Sequence, residues 1–75
     1  MTRYIIVNSI TNRRVLERLK WPYEVRGNVI IFKPPHGSLI GLAEWVAEVL
    51  IELGIAKDYA EAGKIAYTFF VNEVE

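Results

Sequence analysis

Few side chains in this chain could support acid–base, nucleophilic or metal chemistry. The sequence contains no cysteine and one histidine, His36, which follows two prolines in a PPHG segment. A single histidine without thiolates cannot build a histidine or thiolate zinc site. With no cysteine and only one histidine, the usual pairs of a nucleophile and a general base are also hard to build. The composition therefore predicts a protein that is not an enzyme and that holds no metal and no cofactor.

Two other patterns have the residue types for ion or phosphate binding. Glu44, Glu48 and Glu52 recur every four residues and form one acidic stripe on a helix, which is typical of a solvated helix face. The GSLIG segment at 37–41 contains two glycines but lacks the lysine and hydroxyl residue of a phosphate-binding loop. This segment predicts a turn followed by the start of a helix.

The charged residues are divided unevenly along a chain whose formal net charge is zero. Residues 1–37 contain seven lysines or arginines and two glutamates, a net of five positive charges. Residues 38–75 contain two lysines and seven acidic residues, a net of five negative charges. Such asymmetry indicates a basic surface that meets some partner.

The basic half combines cations with a tryptophan, the side-chain types that bind phosphate and stack on bases. The predicted nucleic-acid surface consists of Arg13, Arg14, Arg18, Lys20, Trp21, Arg26 and Lys33. A second interpretation stays open, in which the arginines solvate a helix, Arg13 pairs with Glu17, and Trp21 anchors the core. The pI of about 6.6 is also far below the value typical of a general nucleic-acid binder.

Hydrophobic periodicity and capping residues predict an α+β fold with the order β-α-β-β-α-α in a single domain over residues 1–75. The predicted elements are a strand at 4–7, a helix to about 19, a hairpin over 23–33, a long helix to 53 and a final helix over 58–74. Gly27-Asn28 is the favoured hairpin turn, with Arg26-Gly27 as the alternative. The second hairpin arm is apolar on both faces, which predicts a central strand in a three-stranded mixed sheet of order 2-3-1.

The domain has two parts, a basic β-α-β-β part at 1–33 and an acidic, apolar helical hairpin at 38–75. Both helices of that hairpin are apolar around most of their circumference, although packing on one sheet needs an apolar arc of only about 100°. The surplus predicts a homodimer or a different protein docked on these helices, and the alternative is that they pack on each other and the sheet and leave scattered apolar side chains exposed. The predicted interface consists of Trp45, Val49, Ala62, Gly63, Ala66, Tyr67, Phe70 and Val74.

Residues 28–74 resemble ribbon-helix-helix DNA-binding proteins in their strand-helix-helix order. In that family the dimer places a two-stranded ribbon in the major groove. Because of two departures, the chain resembles this family only in the order of its elements. The candidate reading strand at 29–32 is apolar on both faces, and Asp58 and Glu61 open the last helix where phosphate contacts favour cations.

Two functions stay open on these observations. The first is a small non-enzymatic binding module, homodimeric through its C-terminal helices, that presents its basic surface to DNA or RNA in a regulatory role. The alternative is a protein–protein adaptor whose apolar helices dock a partner. The absence of a signal sequence and of a membrane-spanning run predicts a cytoplasmic protein without a membrane partner. The absence of cysteine and glutamine is typical of a heat-adapted protein.

Overall fold

The computed structural model describes residues 2–74, which form four strands and three helices. In chain order these are β1 Arg3–Val7, α1 Ile10–Leu19, β2 Tyr23–Arg26, β3 Val29–Phe32, α2 Leu39–Glu52, α3 Tyr59–Thr68 and β4 Glu73–Val74. The predicted α+β class and the order of the first six elements are confirmed.

The four strands form one sheet in the order β2-β3-β1-β4. Arg26 pairs with Val29, so Gly27 and Asn28 form the two-residue turn, which confirms the favoured register. Gly27 has a φ of 60°, and a positive φ at the first central position is typical of a type II′ hairpin turn. The predicted strand order 2-3-1 is therefore present, and β4 extends the sheet beside β1.

The sheet is antiparallel throughout, whereas the sequence predicted a mixed sheet. The crossover through α1 makes β1 and β2 parallel, but β3 lies between them and runs opposite to both. No two parallel strands are therefore adjacent among the described residues. Because β3 pairs along both of its edges, it does not form the separate two-stranded ribbon of the DNA-binding family mentioned above.

The prediction that the last helix continues to about Val74 is wrong. The helix α3 ends at Thr68, and residues 73–74 form β4 against β1. The Ile5 N–H donates to the Asn72 carbonyl at 2.9 Å, so the chain end supplies backbone partners to the free edge of β1. A continued helix would leave that edge unpaired.

Side chains next to each helix start satisfy free backbone N–H groups, as the sequence predicted. The capping bonds run from Asn12 N–H to Ser9 Oγ (3.0 Å), from Gly41 N–H to Ser38 Oγ (3.1 Å) and from Glu61 N–H to Asp58 Oδ1 (2.9 Å). After α2, Gly54 adopts a φ of 75°, the left-handed conformation that favours glycine. These local signals place the helices that cover the sheet.

All three helices contribute side chains to one core on one face of the sheet. Alternate residues of the two central strands point into this core, whereas their neighbours Ile5, Val29 and Ile31 on the opposite face are partly exposed. The largest fully buried side chains are Phe32, Phe69, Leu16, Ile30, Leu50, Val15 and Val46. The molecule therefore has two outer surfaces, the open face of the sheet and the outer face of the helices.

Candidate functional site

The cations of the predicted nucleic-acid surface fall into a paired and an unpaired group. Arg18 Nη2 lies 2.6 Å from Glu52 Oε1 on α2, and Arg26 Nε lies 3.0 Å from Glu24 Oε2 on the same strand. Phosphate would have to compete with these carboxylates. The cations of this surface without a salt bridge in residues 2–74 are Arg13, Arg14, Lys20 and Lys33.

Trp21 lies in the core and is only 4% exposed, so it corresponds to the core-anchor interpretation. Its ring is stacked on Phe32 at a centroid distance of 6.0 Å and meets Trp45 edge-on at 5.6 Å. Its indole Nε1 is buried without a hydrogen-bond partner in the described part of the chain. Stacking on a base would require this side chain to leave the core.

Tyr23 and Glu17 form a hydrogen bond beside the arginines of α1. The Tyr23 hydroxyl donates to Glu17 Oε2 at 2.7 Å. This hydrogen bond raises the pKa of Tyr23, desolvation and the negative charge of Glu17 act in the same direction, and Arg13 opposes them. Glu17 therefore contacts a tyrosine of β2, which differs from the expected pairing with Arg13.

A titration should detect this bond. We expect Tyr23 to ionise above the usual tyrosine pKa of about 10, and we expect Glu17→Gln to lower that pKa. Because the folded-state pKa is raised, the contribution of the bond to stability is present at neutral pH. It is lost as the pH rises through the pKa of Tyr23. The measurement is an NMR titration of the Tyr23 ring, and identical pKa values in both proteins would contradict it.

The structure divides the predicted helical interface into exposed and buried residues. Trp45, Gly63 and Tyr67 are exposed, and Val74 is partly exposed but lies in β4. The buried members are Val49, Ala62, Ala66 and Phe70. These four side chains pack inside the chain itself, so without rearrangement of the fold a partner would contact mainly the exposed members.

A shallow groove of about 320 Å³ runs between α2 and α3 on their outer face. Its lining residues are Ile40, Ala43, Glu44, Ala47, Glu48, Tyr59, Gly63 and Ala66. The small residues of this lining form the floor of the groove, and the exposed side chains of Ile40 and Tyr59 lie beside it. Glu44 and Glu48 lie one helical turn apart, so the groove is an apolar surface with an acidic rim. We call it the α2/α3 groove.

Within the described residues, neither the backbone conformation nor a close neighbour requires glycine at position 63. It lies in the middle of α3, its φ is outside the left-handed range, and a Cβ atom added there would meet no atom within 4 Å. Glycine inside a helix costs about 1 kcal/mol relative to alanine. No packing against a neighbouring atom therefore requires a glycine at this position among residues 2–74.

Sequence reasoning missed Ile40 and Tyr59 as exposed members of this face. The signal was present, because Ile40, Ala43 and Ala47 follow helical spacing beside the acidic stripe. Tyr59 is the first residue of α3, and only the hairpin of α2 and α3 brings it to Glu48. Periodicity identified an apolar surplus, but it did not distinguish the buried apolar side chains from the exposed ones.

The second cleft of note lies at the loop between β3 and α2. His36 and the prolines beside it line an open cleft of about 440 Å³ together with Tyr4 and Leu42. Across residues 2–74, no three His, Cys, Asp or Glu side chains come together as a metal-binding group. The cleft therefore contains one exposed imidazole, with the side chains of Thr2 and Tyr4 also in its lining.

No helix within residues 2–74 has both the length and the hydropathy needed to cross a bilayer. No protein-family model matches the chain, no curated protein is significantly similar to it, and no solved structure matches it significantly. The functional conclusion therefore depends on the two surfaces described above.

Proposed function

We propose that this chain is a non-enzymatic protein-interaction module that docks a partner protein on the outer face of α2 and α3. One observation carries the proposal. Ile40, Tyr59 and Tyr67 are 77%, 70% and 68% exposed on the two helices whose opposite sides enter the core. Ile40 and Tyr59 line one groove, and contiguous exposed apolar surface is uncommon on soluble monomers and typical of interaction sites. Leu39, the first residue of α2, is exposed as well.

The distribution of aromatic side chains favours a protein partner over nucleic acid. Single-stranded nucleic-acid sites combine cations with exposed aromatic rings. Here the exposed aromatic residues Trp45, Tyr59 and Tyr67 belong to the acidic half of the chain. The tryptophan of the basic half is buried. A nucleic acid stacked on the exposed rings would lie next to carboxylates.

Nucleic-acid binding is the second candidate function, and the exposed cations of the basic half support it. Arg14, Lys20 and Lys33 are exposed and form no salt bridge with the residues that the structure describes. Their contribution would be electrostatic, so affinity should fall steeply with salt. The triple variant Arg14→Ala/Lys20→Ala/Lys33→Ala removes these three charges and leaves the aromatic core unchanged.

Site-specific photo-crosslinking in cells tests the proposal directly. We expect a photoreactive amino acid at Tyr67 to form a covalent adduct with another protein, because position 67 lies on the proposed docking face. The matched control is Val25, which is apolar and exposed but lies on the sheet. The adduct should be absent with the probe at Val25 and lost from the Tyr67 probe when Ile40→Glu is added.

Two results would contradict the proposal. One is an equally strong adduct from both positions, which would indicate non-specific contact. The other is an adduct formed with the probe at Arg14, sensitive to nuclease and abolished by alanine at Lys20 and Lys33. That result would favour the nucleic-acid candidate.

A further inference from the structure

The α2/α3 groove contains a glycine that the isolated chain does not need. Alanine at position 63 would fit the backbone conformation and would meet no neighbouring atom. Alanine would also strengthen the helix, since glycine is the weaker helix former. Because Gly63 lines the floor of the groove, its lack of a side chain leaves room for another molecule to approach the α3 backbone closely.

The rim of the groove carries charge without a partner inside the described chain. Glu44 and Glu48 form no salt bridge within residues 2–74, whereas Glu52, the third member of the stripe, is bound to Arg18. Both free carboxylates border the apolar floor. A ligand that covers this floor would therefore lie beside two negative charges spaced by one helical turn.

We infer that the partner segment is a basic amphipathic helix that lies in the α2/α3 groove, an inference that rests on the proposed function. Its apolar face covers the groove, and Lys or Arg side chains one turn apart meet Glu44 and Glu48. From Ile40 to Glu48 the groove extends about 12 Å, which corresponds to about two helical turns. Contacts at positions i, i+4 and i+7 of the partner helix span this length.

A helix fits this surface better than an extended segment does. The groove is bordered by two helices, whose interior backbone groups are already paired within each helix. Strand addition requires a free sheet edge, and the groove has none. Helix-in-groove docking needs only side-chain contact and close approach, which the small residues of the floor permit.

A second copy of the chain fits less well. Docking two copies through the same face would bring two acidic rims together, which like-charge repulsion disfavours. The basic helix α1 cannot serve as the ligand of a neighbouring copy, because its apolar residues Val15, Leu16 and Leu19 are buried in its own core. The occupant with matching chemistry is therefore a different, basic helix.

A displayed peptide library provides the probe. Its members are amphipathic helices of about 14 residues. Their apolar positions vary among Ala, Val, Leu, Ile and Phe, and two flanking positions one turn apart carry either Lys or Glu. We expect sorting on the full chain to enrich the lysine members. The best lysine peptide should bind about tenfold more tightly than its glutamate counterpart at low salt, with a smaller ratio at high salt.

Charge-matched variants separate the rim from general electrostatics. We expect Glu44→Gln/Glu48→Gln to bring the affinity ratio of the two peptides close to one. The control Glu24→Gln/Glu73→Gln removes the same number of charges from the sheet and should leave the ratio unchanged. An equal response to both double variants would overturn the rim assignment.

Variants of Gly63 test the close approach. We expect Gly63→Ala to raise Tm by about 4 °C, because alanine is the better helix former. The same change should weaken binding of the selected lysine peptide, and Gly63→Leu should weaken it by about tenfold or more. The higher Tm would show that the weaker binding is not a folding defect. Unchanged binding in both variants would overturn the inference.

The remaining outcomes distinguish this inference from the function on which it rests. If sorting enriches no peptide, or enriches glutamate members, while the crosslink at Tyr67 persists, the basic-helix inference is wrong and the docking face stands. If the crosslink is absent as well, the proposed function fails. If light scattering gives a dimer that Ile40→Glu converts to a monomer, the occupant is a second copy and the inference is overturned.

Discussion

Replacing Phe32 with alanine is expected to abolish the cooperative folding of this chain. Phe32 is 1% exposed on the central strand β3. Its ring centroid lies 5.9–6.1 Å from those of Tyr4, Trp21, Phe69 and Phe70. Removing a buried phenylalanine costs about 3–5 kcal/mol. A single core in a domain of this size rarely supplies more than about 3–5 kcal/mol, so little stability would be left.

Thermal denaturation followed by near- and far-UV circular dichroism checks this expectation. The variant should lack the near-UV signal of ordered aromatic rings and should show no cooperative transition. Val25→Ala is the matched control, because Val25 lies on β2 of the same sheet and is 45% exposed. The control should lose about 1 kcal/mol or less. A cooperative transition in Phe32→Ala within a few degrees of the wild type would contradict the assigned core.

The two tryptophans should differ sharply in their contribution to stability, although their rings touch. Trp21 is 4% exposed and Trp45 is 46% exposed. We expect Trp21→Ala to lower the free energy of unfolding by about 3–5 kcal/mol. Because Trp45 is only half removed from water, Trp45→Ala should cost about 2 kcal/mol.

Urea denaturation of the two variants under identical conditions measures this difference. The more destabilised protein should be Trp21→Ala. Equal midpoints, or a larger loss in Trp45→Ala, would contradict the burial described here. The result also bears on the nucleic-acid candidate, because a loss of binding in Trp21→Ala would then report unfolding. Binding tests of that candidate should use the exposed cations Arg14, Lys20 and Lys33.

Most of the fold could be predicted because its signals are local. Ser9, Ser38 and Asp58 cap their helices through bonds to backbone groups three residues away. The Gly27-Asn28 turn sets the hairpin register through the conformation of two residues. Such interactions depend on short stretches of chain, so they can be recognised without knowledge of what packs nearby.

The candidate site could be predicted only in part. The apolar surplus of α2 and α3 directed attention to these helices, and Trp45, Gly63 and Tyr67 lie exposed on them. Four other predicted members are buried in the chain's own core. Helical periodicity gives the direction in which each side chain points around its axis, but it does not say how much of that circumference the neighbouring elements cover.

The sequence by itself determined the order of the first six elements, the helix starts and the hairpin turn, since each depends on contacts between close neighbours in the chain. The tertiary structure alone decided which tryptophan is buried, that Arg18 meets Glu52, and that the last residues form a strand. In each case the deciding partner is distant in sequence: aromatic rings from β3 and from the segment after α3, a carboxylate on α2, and the free edge of β1. Contacts between residues that are distant in sequence form only when the chain folds, so a short stretch of sequence does not reveal them.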